Sequence, residues 1–79
     1  MKSIAKEIVN EYKELVKKQN IIDGNEIFRD VEIKAKQHTL TCQTILDNNR
    51  KFGIMGKELM NIIKWCESEI KILKDGGLI

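Results

Sequence analysis

Residues 26–49, EIFRDVEIKAKQHTLTCQTILDNN, contain neither glycine nor proline, and their apolar side chains return at a helical interval. Phe28, Val31, Ala35, His38, Cys42, Ile45 and Leu46 keep a three-and-four spacing, which places them on one stripe of a helix. The spacing predicts a long central helix over about 25–49. Asp30 with Lys34 and Glu32 with Lys36 are acidic-then-basic pairs four residues apart, each expected to add ~0.3 kcal/mol on an exposed face.

Working outward, Ser3 is a natural N-cap, and Ile4, Ala5, Ile8, Val9, Tyr12, Leu15 and Val16 then form a single apolar stripe. Lys6, Glu7, Asn10, Lys13, Glu14, Lys17 and Lys18 occupy the rest of that helix, over about 3–19, as a solvated face. Asn20 to Gly24 carries turn chemistry, with Asp23 or Asn25 available to cap the central helix. Downstream, Asn48, Asn49, Gly53 and Gly56 cluster into a second break, with Phe52 expected beneath the turn. A third helix over about 55–74 places Met55, Leu59, Ile62, Ile63, Cys66, Ile70 and Leu73 on its stripe. Asp75-Gly76-Gly77 should stop it, with Leu78 folding back. Three stripes joined by short loops predict an all-α fold: one domain, residues 1–79, forming a small antiparallel three-helix bundle with a long central helix.

The 79 residues hold 14 basic and 12 acidic side chains, a formal charge of +2, so no one-sided field draws the chain to nucleic acid or an anionic membrane. No apolar run approaches the ~18 residues of a membrane span, and Glu7, Glu11 and Glu14 interrupt any signal-peptide core. Two cysteines are too few for a secreted disulfide framework, so a cytoplasmic location is expected. The wealth of Lys, Ile, Asn and Glu is a compositional association with phage or low-GC bacterial genomes. A chain this short buries only about 60% of its unfolded surface, so homodimerisation is a natural way to add core. No glycine-rich phosphate loop, carboxylate pair or metalloprotease spacing occurs, and no cofactor or small-molecule substrate is implied.

Three constellations could carry chemistry. His38 and Cys42 leave one helix face a turn apart, and a turn centred near Lys51 or Phe52 would set Cys66 opposite His38. Zinc takes such ligands, but the set lacks a fourth member, and Glu69 is placed toward the edge of the stripe. The incomplete set favours no metal and a core role for all three. A Cys42 nucleophile with His38 as base finds no orienting third group. The same register puts Cys42 level with Ile62, which disfavours a disulfide to Cys66. A degenerate helix-turn-helix around Gly53, with Arg50, Lys51, Lys57 and Lys64 near phosphates, would make a small DNA-binding transcriptional regulator. Asn49 and the long preceding helix depart from that motif.

The apolar residues that leave the stripes remain. Ile54, Trp65 and Ile72 share a line about 120° from the centre of the third helix's stripe, and Ile33 and Leu40 lie seven apart opposite Val31 and His38. A lone tryptophan off the core stripe is the kind of anchor interfaces use. These five residues are the expected partner-binding set. In size and class alone the chain resembles small helical regulators, antitoxin-like proteins and phage-encoded inhibitors of host enzymes. The expectation is a non-enzymatic protein–protein interaction module, a regulator or inhibitor working through a homodimer or partner interface on helices two and three.

Overall fold

A computed structural model describes residues 2–19, 25–53 and 56–79, with backbone only at Asn25 and Phe52. Within these residues the chain is three helices without strands: α1 (Ile4–Gln19), α2 (Asn25–Phe52) and α3 (Lys57–Asp75), each packed on the other two. The expected loop 20–24 and the expected positions of Ile54 and Met55 lie outside the described residues.

Ser3 starts α1 as expected: its hydroxyl accepts the Lys6 amide at 3.1 Å, and its carbonyl accepts the Glu7 amide at 3.1 Å. Ala5, Ile8 and Val9 are the buried members of the stripe, while Val16 is exposed near the far end. Beyond Val9, α1 leans on α2: Tyr12 meets Phe28 edge-on, with centroids 5.3 Å apart. Lys34, expected to pair with Asp30 along its own helix, reaches Glu11 of α1 instead at 3.6 Å, whereas Lys36 and Glu32 form their pair at 3.0 Å.

The central helix continues past its expected end at Asn49 to Phe52. Asn48 and Asn49 have only mildly poor helix propensity, whereas Gly53, at φ 58°, adopts the left-handed conformation that stops a helix. The Gly53 amide donates to the Asn49 carbonyl at 2.8 Å. Thr39, Thr41 and Thr44 are accommodated because their hydroxyls donate back to the carbonyls of Ala35, Gln37 and Leu40. The later stop shifts the pairing of α2 with α3 by about one turn. The side chain opposite Cys66 is therefore Cys42, not His38, and His38 meets Glu69.

The last helix closes as its Gly-Gly sequence predicts. The Leu78 amide donates to the Leu73 carbonyl and the Gly77 amide to that of Lys74, with Gly77 at φ 73°. Leu78 folds back into the core beside Leu73, completing a Schellman closure.

The interior has two parts. Ala5, Ile8, Val9, Val31, Ala35, Leu73 and Leu78 form a cluster to which all three helices contribute. Cys42, Leu46 and Cys66 form a second cluster from α2 and α3 alone. Strung along the long helix, the two give a molecule of 48 × 20 × 15 Å.

Candidate functional site

The polar and reactive side chains converge where the two clusters meet. Glu69 follows Cys66 by three residues and precedes Leu73 by four, so it lies on the buried stripe of α3, not on its edge, and is 1% exposed. A carboxylate this deep needs partners. One is the backbone amide of Ala5 in the first turn of α1, which donates to Oε2 where the positive end of the helix dipole favours an anion. The other is His38 Nε2, 3.4 Å from the same oxygen. Glu69 thus ties α3 to both other helices. Sequence reasoning undervalued it, although the spacing Ile62–Cys66–Glu69–Leu73 carried the signal.

His38 Nε2 also lies 3.8 Å from Cys42 Sγ. A nucleophile–base–carboxylate relay uses the two ring nitrogens for its two partners, whereas here one nitrogen faces both. Burial, the adjacent Cys66 thiol and the Glu69 charge push the Cys42 thiol up from about 9 to about 12. Both cysteines are fully buried, so Cys42 is a protonated, inaccessible thiol. The two thiols face each other, which overturns the register on which a disulfide was disfavoured; both are free thiols in this structure. Among the described residues no three His, Cys, Asp or Glu side chains are arranged to hold a metal ion, so the His38/Cys42/Cys66 alternative gains no geometric support.

Trp65 packs on the Cys42 cluster, half-buried, with its ring edge-on to His38 at 5.6 Å. Its Nε1 is buried without a hydrogen-bond partner. Ile72 packs half-buried against the first cluster, beside Val9. Ile54 lies outside the described residues. Ile33 and Leu40, by contrast, project from the outer side of α2 at 52% and 68% exposure. The structure therefore separates the five expected interface residues: two stand on the surface and two sit against the core.

Arg50 and Lys51 end α2, Lys57 begins α3, and Lys64 follows two turns later, all exposed. A helix-turn-helix crosses its two helices at a wide angle. Here contacts from His38 and Cys42 to Glu69 and Cys66 keep α2 and α3 alongside each other. No described helix is long and apolar enough to cross a membrane. No family model matches this chain, nor does any curated protein or solved structure.

Proposed function

We propose that this chain is a non-enzymatic protein-interaction module, an antiparallel three-helix bundle that acts as a small regulator or inhibitor by docking protein through α2 and α3. One observation carries the reading: Ile33 and Leu40, two large aliphatic side chains seven residues apart, lie exposed on the face of α2 away from both core clusters. Taking the part of each that is still exposed out of water is worth roughly 1–2 kcal/mol, a gain open to a docking protein and not used by the monomer. The chemistry of the interior supports the same reading. Its thiols and its carboxylate–imidazole pair serve helix packing and do not open to a substrate.

The test places a photo-crosslinking residue at position 40 in the full chain. Irradiation in the native cell should yield a discrete protein adduct, which Ile33→Glu abolishes while far-UV helicity stays unchanged. Adducts only to nucleic acid, or a protein adduct unchanged by Ile33→Glu, would refute docking through this face.

A further inference from the structure

The charges of α1 are sorted by side. At about 100° per residue, Glu7, Glu11 and Glu14 fall within about 60° of one another, whereas Lys6, Lys13 and Lys17 share a line about 110° further round the helix. The structure gives each side its direction. Glu11 reaches Lys34 of α2, while Lys6, Asn10 and Lys13 line an open groove of about 370 Å³ between α1 and the end of α3. Val9 and Ile72 give this groove an apolar floor, and Asp75 and Gly76 form its far wall. Gly76 lets the walls approach, since a Cβ there would lie 3.0 Å from Val9 Cγ2. Lys6, Lys13, Lys17 and Asp75 are all exposed. Among the described residues, none of these four side chains is in an ion pair or hydrogen bond.

We infer that this groove binds an acidic amphipathic helix of another protein, with apolar side chains on Val9 and Ile72 and a row of carboxylates along Lys6, Lys13 and Lys17. The surface is separate from the Ile33 and Leu40 face and goes beyond the function proposed above. Charge and spacing select the occupant. Lys6 and Lys13 stand seven residues apart and Lys13 and Lys17 four, about 10 Å and about 6 Å along the axis, the intervals at which a helix lying alongside repeats its own side chains. Here α1 and α3 advance in the same direction, because Ala5 meets Glu69 and Val9 meets Gly76. The channel between them therefore follows both helix axes, as a helix-in-groove complex requires. A nucleic-acid strand fits less well. Its phosphates would face the Asp75 carboxylate and the negative end of the α3 dipole across the groove, and its charged backbone offers nothing apolar to Val9 and Ile72. The same wall suits a helix with a basic residue on its second flank, which would pair with Asp75.

The test titrates the full chain with a synthetic helical peptide of about five turns, carrying leucine at three-and-four spacing, glutamate along one flank and arginine along the other. Amide NMR shifts should map to Val9, Asn10, Lys13 and Gly76, and added salt should weaken the complex. Lys6→Glu combined with Lys13→Glu should lower the affinity at least about tenfold. Asn10→Trp, which fills the groove from its exposed rim, should do the same. Lys18→Glu, on the glutamate side of α1, should leave it within about twofold. A second peptide with lysine in place of each glutamate should bind the doubly reversed chain more tightly than the wild type, a rescue that damage to the fold does not produce. The inference is overturned if the first peptide shifts none of these amides at about 1 mM, or if the doubly reversed chain binds it like the wild type. Unchanged affinity on replacing the peptide's glutamates with glutamine overturns it as well. A single-stranded oligonucleotide, or vesicles of phosphatidylglycerol, that shifts the same amides at lower concentration than the peptide assigns the lysines to phosphate and equally refutes the helix. None of these outcomes alters the position-40 adduct, so the Ile33 and Leu40 face stands or falls separately.

Discussion

Truncating Glu69 to alanine tests whether one carboxylate joins the three helices. The substitution leaves the Ala5 amide without its acceptor, in a place 1% exposed in the intact protein, and strips His38 of its partner. An orphaned buried amide costs ~1–3 kcal/mol, and loss of the contact with His38 Nε2 adds ~1 kcal/mol. A 79-residue domain has ~4–12 kcal/mol to lose, so Glu69→Ala should leave the fold marginal. Glu69→Gln keeps an oxygen for the Ala5 amide and gives up the charge; its cost should be less than half that of alanine. Urea unfolding followed by far-UV circular dichroism measures both, and a double-mutant cycle with His38→Ala isolates the pair. If Glu69→Ala lies within ~0.5 kcal/mol of wild type, as an ordinary surface change would, the carboxylate does not join the helices and its burial is incidental.

Alkaline pH offers a second test. The folded Cys42 thiol holds its proton up to about 12, against about 9 when unfolded, so stability is intact below pH 9 and declines as pH rises towards 12. The limiting slope is ~1.4 kcal/mol per pH unit, and Cys42→Ala should remove that part of the decline in thermal melts at pH 8 to 11. Gly77→Ala forces a Cβ onto a residue at φ 73° and should cost ~1–2 kcal/mol in the same melts; a neutral result would mean the helix end re-forms otherwise. Leu73→Ala, fully buried in the first cluster, should cost ~2–5 kcal/mol. Leu40→Lys, on the outer face, should stay within ~0.5 kcal/mol in equilibrium unfolding.

The helices were legible because each carries a periodic stripe and a local stop. Ser3 and the Gly76-Gly77 pair act through neighbours in the chain, so sequence alone exposes them. The register of α2 on α3 was not, since it depends on where α2 ends. Two asparagines look like a break until Gly53, four residues after Asn49, proves the stronger stop. That shift exchanged the partners of His38 and Cys66 and brought Glu69 into the centre. The value of a buried glutamate depends on an amide 64 residues away and an imidazole on a third helix, which periodicity does not encode. Trp65 shows the same limit: its angle off the stripe is correct arithmetic, yet the neighbouring His38 ring gives it a contact within the fold.

The two caps on α1 differ in when they can act during folding. Ser3 caps its helix as soon as one turn forms, whereas the Glu69 contact to Ala5 requires α3 to be made and placed first. Closing so long a loop costs entropy that the short connections of α2 to α1 and to α3 do not incur. The contact of α1 with α3 through Glu69 should therefore form late. Substitutions at Glu69 would then accelerate unfolding and leave the folding rate nearly unchanged, giving a φ-value near zero. In native-state hydrogen exchange, the amide of Ala5 should open at lower free energy than those around Cys66.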